Sequence, residues 1–249
     1  MSVLTVKAGD RQGFSEPHFF YVDVPGNGAS VRFNRGMCSV SLMLEPQAGG
    51  YLVCTDGTLN ILAGHLSLHR LCFTKMAKLQ AFIDVALEYS SHERKTTMAR
   101  FIRHPSRTDV TLRGAEDWLI RMNIFQEQSA EDEEVIQLFR STEAYWLISY
   151  LLKESPETER LSELGRRYGL SVSHFRRLTR KALGNTTKNT LCDWRRIRAV
   201  LDLMGGSGNV TETAFRHGYS SVSHFSNVIK TTFGLSPKEL KNIIGRKSK

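Results

Sequence analysis

The chain has 249 residues, of which 41% are hydrophobic and 24% are charged, and it carries a formal net charge of +9. This composition is that of a globular protein, and the length allows two domains that each bury their own core. No stretch approaches the roughly 18 to 20 apolar residues of a membrane-spanning helix. The N-terminal residues also lack the hydrophobic core of a signal peptide. We therefore expect a cytoplasmic protein.

The first predicted elements are short strands rich in Val, Phe, Tyr and Leu, separated by Gly, Pro and Asn. They cover residues 18–24, 30–33, 38–44, 50–55 and 58–62. Short strands with such turns predict a compact antiparallel sheet or a small barrel.

From Thr74 the apolar period changes from that of a strand to that of a helix. The predicted apolar stripe consists of Met76, Leu79, Phe82, Ile83, Ala86 and Leu87. This stripe can pack on the sheet or against a second protomer, and the second arrangement would make the protein a homodimer. Two further helices are predicted around Trp118 and Val135. Residues 1–140 are thus predicted to form an N-terminal regulatory or dimerisation domain, and the predicted fold class is α+β.

No catalytic or metal-binding constellation is found along the chain. The four cysteines are widely spaced and form no Cys-x-x-Cys pair, which argues against a zinc site and fits a reducing compartment. They are Cys38, Cys54, Cys72 and Cys192. We expect no enzymatic activity, no metal and no cofactor.

The second half contains a repeated segment. Residues 169–175 read GLSVSHF and residues 218–225 read GYSSVSHF, and His174 and His224 are 50 residues apart. In each copy a glycine ends one helix and a serine can cap the next, which is predicted over Val172–Leu183 and Val222–Phe233. Two helices joined by a glycine-containing turn form a helix-turn-helix, whose second helix can lie in the DNA major groove.

A helix over residues 188–204 joins the two copies. Its predicted apolar face consists of Leu191, Trp194, Ile197, Leu201 and Met204. An amphipathic helix over residues 142–154 precedes the first copy, and breaks are predicted at 155–158 and 205–208. Residues 141–249 are therefore predicted to form an all-α domain with two helix-turn-helix units.

The charge is concentrated in this half. Residues 155–249 contain 18 Lys and Arg against 7 Asp and Glu, whereas residues 1–154 contain 16 against 18. A domain with such an excess is expected to bind a polyanion, because each phosphate that it neutralises releases counterions. A basic surface that is only solvated is the alternative on charge alone.

These features resemble the AraC/XylS family of bacterial transcription regulators. The resemblance covers residues 141–245 and rests on Trp194 and Arg195, on GYSSVSHF followed by Lys230, and on FGLSPKEL at 233–240. The segments EAYWLISYLL, YGLSVSHFRRL and HGYSSVSHFS resemble the branch that activates type III secretion genes in Gram-negative pathogens. The resemblance implies a nucleoid-associated activator that binds double-stranded promoter DNA and RNA polymerase. It also implies a secretion chaperone as co-activator rather than a sugar ligand.

Candidate DNA-binding residues face away from the apolar side of each second helix. In the first copy they are Ser173, Arg176, Arg177, Arg180 and Lys181, and in the second they are Ser223, Ser226, Asn227 and Lys230. The family resemblance places base contacts at Ser173, Arg176 and Arg177, and our own hypothesis assigns Arg180 and Lys181 to phosphates. Because arginine discriminates bases better than serine does, we expect the first copy to dominate specificity.

Three alternatives remain on sequence grounds. The N-terminal domain of such a regulator could bind a small molecule instead of a protein. An enzyme fused to the DNA-binding module would need an activated thiol, and no cysteine lies near a His or Arg motif that would supply one. A non-specific nucleoid protein would bind DNA with little sequence preference.

Overall fold

The computed structural model describes residues 3–89, 98–103, 112–124, 129–154, 160–204 and 209–245. The chain divides into two compact units between Ser149 and Tyr150, inside a helix that covers Glu143–Glu154. This division reflects which residues lie close together and does not test which segment folds independently. The domain boundary between residues 140 and 141 therefore remains a prediction. The predicted breaks at 155–158 and 205–208 lie outside the described residues. Among the described residues, no helix combines the length and the apolar composition that crossing a bilayer requires.

The first unit contains the strands. They are β1 (Val3–Lys7), β2 (Arg11–Phe14), β3 (His18–Asp23), β4 (Ala29–Arg35), β5 (Cys38–Leu44), β6 (Gly49–Cys54), β7 (Gly57–Ala63), β8 (His65–Leu71) and β9 (Ala99–Arg103). They form two antiparallel sheets with the orders β1-β8-β3-β6-β9 and β2-β7-β4-β5. The predicted antiparallel arrangement is therefore confirmed, and β3 to β7 are the five predicted strands.

The hydrophobic core of this unit lies between the two sheets. The first sheet contributes inward side chains such as Phe20 and Leu52, and the second contributes Val31, Phe33 and Leu59. The inward residues alternate with outward residues along β4, whose burial follows the period of two that a half-buried strand shows. Side chains of both sheets therefore fill the interior.

Helices cover the outer face of the first sheet. The helices of this part of the chain are α1 (Phe73–Ala86), α2 (Leu112–Ile124), α3 (Ala130–Arg140) and α4 (Glu143–Glu154). The rings of Phe19 and Phe139 lie 5.5 Å apart, and those of Tyr51 and Trp118 lie 5.2 Å apart. All six residues of β6 are buried because both of its faces are covered. The predicted α+β class is thus confirmed.

The predicted apolar stripe of α1 is wrong in part. Met76 is fully buried, but Leu87 is 55% exposed. The buried face instead includes two polar residues, Gln80 and Asp84. Hydrogen bonds to both side chains make this burial favourable, and a stripe drawn through apolar residues alone misses them.

The second unit contains the repeated segments. Its further helices are α5 (Leu161–Arg167), α6 (Val172–Leu183), α7 (Thr187–Met204), α8 (Val210–Arg216), α9 (Val222–Phe233) and α10 (Pro237–Gly245). The predicted second helices of the two copies, α6 and α9, have the predicted bounds. Gly169 and Gly218 lie in the turns before them with φ of 82° and 69°, a backbone conformation that glycine adopts without strain.

The linking helix α7 does not bury the single face that was predicted for it. Ile197 and Leu201 are 47% and 59% exposed. The buried residues are Thr187, Thr190, Trp194, Ala199, Val200 and Leu203. At 3.6 residues per turn, the first three lie within about 60° of one another, and the last three are centred roughly 160° away.

The two buried faces of α7 serve two different cores. Thr187 hydrogen-bonds Thr179 of α6, whereas Ala199, Val200 and Leu203 pack with residues of α8 and α9. The predicted stripe through Ile197 and Leu201 extends the first face past the end of the core that this face shares with α6. This change of face is the physical reason why the prediction was wrong.

Candidate nucleic-acid interface

Local sequence signals set both ends of α6. The backbone N–H of His174 donates to Oγ of Ser171 at 3.4 Å, which caps the start of the helix. Gly184 ends it in the left-handed conformation, with φ of 72°. The predicted serine cap is therefore confirmed.

Aromatic packing fixes the rotation of α6 about its axis. Phe175 is fully buried, and its ring lies 5.6 Å from that of Tyr168 and 6.4 Å from that of Tyr150. Tyr150 also donates a hydrogen bond to the carbonyl oxygen of Leu164 at 2.9 Å. A Cβ at Gly165 would lie only 3.2 Å from Phe175, so this glycine permits close packing of α5 on α6.

Sequence reasoning did not single out Tyr150 or Gly165 as positioning residues. Tyr150 lies 25 residues before Phe175 in the chain. No local spacing signal connects two residues that far apart, because helical periodicity relates only neighbours three or four positions apart.

The outward side of α6 is basic. Ser173, Arg176, Arg177, Arg180 and Lys181 are all exposed. Within the described part of the chain, none of these three arginines forms an ion pair. Arginines elsewhere in this unit do: the pairs are Arg166 with Glu163 at 2.5 Å, Arg167 with Glu154 at 3.6 Å, Arg196 with Asp193 at 2.8 Å and Arg216 with Asp202 at 3.0 Å.

The second copy builds the same scaffold. The N–H of His224 donates to Oγ of Ser221 at 3.1 Å, and Gly234 ends α9 with φ of 77°. Phe225 is fully buried, and its ring lies 4.9 Å from that of Tyr219. The two buried residues of α9, Phe225 and Ile229, thus occupy positions equivalent to Phe175 and Thr179 of α6, whereas Ala182 and Leu183 are buried in α6 alone.

The outward side of α9 is less charged than that of α6. Ser223, Asn227 and Lys230 are exposed, whereas Ser226 is half-buried. The structure therefore brings the nine sequence-predicted residues to two helices, five on α6 and four on α9. Which of them contact DNA remains a prediction.

The two repeated histidines lie at the starts of these helices. His174 is half-buried, and His224 lies against Tyr219, with ring centroids 5.6 Å apart. Nδ1 of His224 is 3.3 Å from Oγ of Ser220. Among the described residues, no group of three His, Cys, Asp or Glu side chains is placed to hold a metal ion.

One ion-pair cluster of the second helix-turn-helix was not predicted. Asp202 of α7 accepts a hydrogen bond from Arg216 at 3.0 Å and contacts Nε2 of His217 at 3.1 Å. Arg216 also donates to Glu212 at 2.6 Å. The cluster ties α8 to α7. Arg216 and Glu212 are only four residues apart, but Asp202 lies 14 residues before Arg216, which is too far for a local pattern to reveal.

The cysteine thiols are free. Cys54 is buried, and this burial raises the pKa of its thiol to about 12. A thiol with that pKa is protonated near neutral pH and is a poor nucleophile.

Comparisons with known proteins relate the chain to transcription regulators. A family model described as a helix-turn-helix domain matches residues 164–243. The invasion protein InvF of Salmonella typhi is 35% identical over 202 residues, which are 80% of this chain and 91% of InvF. The transcriptional regulator MxiE of Shigella flexneri is 43% identical over 110 residues, or 43% of this chain and 52% of MxiE. A crystal structure of ToxT from Vibrio cholerae O395 is 13% identical, with a TM-score of 0.36 over 97% of this chain and 96% of ToxT.

The similarity to InvF is too long to be confined to the helix-turn-helix pair, because 202 matched residues exceed the length of the second unit. The helix-turn-helix match covers most of α5 to α10, and this segment includes α6 with its basic side. The chain therefore belongs to the AraC/XylS family of DNA-binding transcription regulators, in the branch that its sequence resembles.

Proposed function

We propose that the protein activates type III secretion genes by inserting α6 and α9 into successive major grooves of their promoters, with α6 as the dominant reader. The observation that carries this proposal is the set of exposed arginines on α6 that have no carboxylate partner among the described residues. An arginine that is already paired must break that pair before it binds DNA. An unpaired arginine incurs no such cost.

The arginines of α6 have different roles in this proposal. Arg176 and Arg177, with Ser173, contact base edges, where arginine donates two hydrogen bonds to N7 and O6 of guanine. Each such contact discriminates against the wrong base by about 1–3 kcal/mol. Arg180 and Lys181 bind phosphates, which fix the position of the helix but carry no sequence information.

The polar residues of α9 make the weaker contacts. Ser223 and Ser226 carry hydroxyl groups that discriminate poorly between bases, and Asn227 can pair with adenine. Lys230 is the residue of α9 that neutralises a phosphate. The second half-site is therefore expected to tolerate more base changes than the first.

The length of α7 suits the spacing of two major grooves. Its 18 residues span roughly 27 Å at 1.5 Å per residue. Recognition helices that read successive grooves on one side of DNA need centres about 34 Å apart. The linking helix, together with the width of the units at its two ends, can supply that distance.

Gel-shift titration on a target promoter tests the dominance of α6. Arg176→Ala and Arg177→Ala should each weaken specific binding about 5- to 150-fold, which corresponds to about 1–3 kcal/mol. Ser226→Ala and Asn227→Ala should weaken it less. Arg166→Ala is the matched control, because Arg166 is paired with Glu163 outside α6. Strong losses for Ser226→Ala and Asn227→Ala together with none for the two arginine variants would refute the asymmetry.

The proposal includes protein partners in the cytoplasm. At a nucleoid promoter the activator recruits RNA polymerase, and a type III secretion chaperone acts as its co-activator, as the resemblance to this branch implies. We further propose that the protein acts as a homodimer. The interior between the sheets, where a barrel would hold a small molecule, is filled by residues such as Phe20 and Phe33, which favours control by a protein.

A promoter reporter tests the chaperone. In a host without other type III secretion genes, reporter transcription should rise only when the activator and the matching chaperone are expressed together, and the two proteins should co-purify. Full activation without any chaperone, accompanied by a rise in melting temperature with a small molecule, would support the ligand-controlled alternative.

A further inference from the structure

The edges of the two sheets differ in how they are protected. Free strand edges can pair with other chains, and proteins commonly prevent this with Lys or Arg side chains, prolines or bulges. Among the described strands, four are edges. Three of them contain a basic residue: Lys7 in β1, Arg11 in β2, and Arg100 and Arg103 in β9.

The fourth edge, β5, carries none of these protections. Its sequence is CSVSLML, which contains no charge and no proline. With seven residues it is also longer than β1, β2 and β9, which have five, four and five. It pairs with β4 in continuous register along its whole length, so no bulge interrupts it.

The inward residues of β5 are incompletely covered. Val40 and Leu42 are half-buried, although the residues opposite them on β4, Phe33 and Val31, are fully buried. No described strand hydrogen-bonds to the far side of β5, although part of β9 has Cα atoms within 8 Å of it. In an antiparallel sheet, alternate residues of an edge strand direct their N–H and C=O groups away from its single neighbour. A further strand would satisfy these groups and cover both side chains.

We propose that β5 of a second copy of this chain is that strand. The inference rests on the homodimer of the proposed function and assigns its interface. An antiparallel pair with its two-fold axis at Ser41 places Leu42 opposite Val40 of the other copy and Met43 opposite Ser39. Apolar residues then face apolar residues on the inner side, and the large Met43 faces a small serine on the outer side.

This self-complementarity is the reason for choosing a second copy over an unrelated strand. A two-fold interface uses the same patch twice, so each feature must match its own rotated image. The uncharged β5 meets that condition without like-charge contacts, which destabilise directly opposed strand residues. The other three edges would bring basic residues of two copies together.

The first test places a charge in the interface. Ser41→Lys should weaken self-association of the full chain at least tenfold, measured as the dimer dissociation constant by sedimentation equilibrium without DNA. Thr5→Lys is the control, because Thr5 is also exposed at the middle of an edge strand, β1. Thr5→Lys should keep the wild-type melting curve. Ser41 accepts a hydrogen bond from Nε of Arg32 at 3.3 Å and lies opposite it on β4, so Ser41→Lys should melt slightly lower, and self-association is measured well below both melting temperatures.

The second test measures proximity directly. Directly opposed residues of antiparallel strands have Cβ atoms about 4.5–5.5 Å apart, close to the geometry of a disulfide. In a Cys38→Ser background, which removes the native thiol of β5, Ser41→Cys should form a covalent dimer under mild oxidation. Thr5→Cys in the same background should not.

The outcomes separate this inference from the proposed function. If Ser41→Lys leaves the dimer intact and Ser41→Cys forms no cross-link, the β5 interface is refuted but the homodimer is retained. A protein that stays monomeric at all concentrations refutes both. Cross-linking of Ser41→Cys to a co-purified chaperone would also overturn the inference, because β5 would then have another occupant. DNA binding is tested independently by Arg176→Ala and Arg177→Ala.

Discussion

At the scale of single residues, Asp84 shows how the first unit accommodates a buried charge. Its side chain is 3% exposed, and that of Arg140 is 6% exposed. Nε and Nη2 of Arg140 each donate to one carboxylate oxygen at 2.8 Å. Tyr145 donates at 2.7 Å and Gln80 at 2.8 Å. The carboxylate is thus bonded from three different side chains, which offsets the cost of its burial.

Removing the charge of Asp84 should therefore be costly. Asp84→Asn removes the buried partner of Arg140 and leaves it paired with the partly exposed Glu133, at 3.1 Å. Breaking a buried pair lowers the free energy of unfolding by about 3–5 kcal/mol. Glu16→Gln is a control in the same unit, because its pair with Arg70 is more than half exposed; it should cost less than about 1 kcal/mol. Urea unfolding measures both, and equal losses would contradict the assigned role of burial.

The same network makes stability depend on alkaline pH through Tyr145. Burial, followed by the hydrogen bond to Asp84, raises the pKa of this phenol above its ordinary value. The stabilisation is therefore complete below the unfolded pKa near 10 and is lost as pH rises towards the folded value. Above pH 10 the wild type should lose about 1.4 kcal/mol per pH unit relative to Tyr145→Phe. Parallel profiles of unfolding free energy for the two proteins would refute this.

At the scale of elements, helices with local start and stop signals were the most predictable. The bounds of α6 follow from Ser171 and Gly184, which act on neighbouring backbone groups. The strands β1, β2, β8 and β9 were not predicted. β9 was missed because its burial depends on pairing with β6, about 50 residues away in sequence, and because Arg100 and Arg103 interrupt its apolar residues. Their charges are accommodated by Glu134 and Glu45, which no local pattern indicates.

The two buried faces of α7 give a test within one helix. Leu203 is 1% exposed and Leu201 is 59% exposed, although they are two positions apart. Leu203→Ala should cost about 2–5 kcal/mol and lower hydrogen-exchange protection in α8 and α9. Leu201→Ala should change stability by less than about 0.5 kcal/mol.

The first face of α7 responds differently in the same experiment. Trp194→Ala should lower protection chiefly in α5 and α6, since Trp194 lies on the face that packs towards the first helix-turn-helix. If Trp194→Ala and Leu203→Ala destabilised the same helices equally, α7 would serve one shared core, and the two-face description would be wrong.

At the scale of the whole molecule, the repeat separates folding from recognition. Ser171 and Ser221, Phe175 and Phe225, and Gly184 and Gly234 have the same structural roles 50 residues apart. The outward positions other than the half-buried Ser226 have no such constraint from the fold, because they are exposed. Sequence could predict the scaffold from these repeated signals, but it left the DNA sequence open, since base recognition requires the geometry of the bound complex.

This separation predicts that a reading residue can be transferred between copies. Asn227 is exposed at the position equivalent to Arg177, so Asn227→Arg should fold with unchanged stability. It should raise promoter affinity. If the new arginine binds a phosphate, the salt dependence should steepen by about 0.9; if it binds a base, a guanine preference should arise at the half-site that α9 contacts. Selection from a randomised promoter pool reveals a guanine preference, and affinity titrations at several salt concentrations reveal an added phosphate contact.

Thr211→Arg controls for charge alone, since Thr211 is exposed on α8 rather than on a recognition helix. It should change neither the selected bases nor the affinity as strongly as Asn227→Arg. The bases selected by α6 should stay the same in both variants, because Arg176 and Arg177 remain in place. A changed preference at the α6 half-site would show that the two readers are coupled, and a loss of stability in Asn227→Arg would show that the scaffold constrains its outward residues after all.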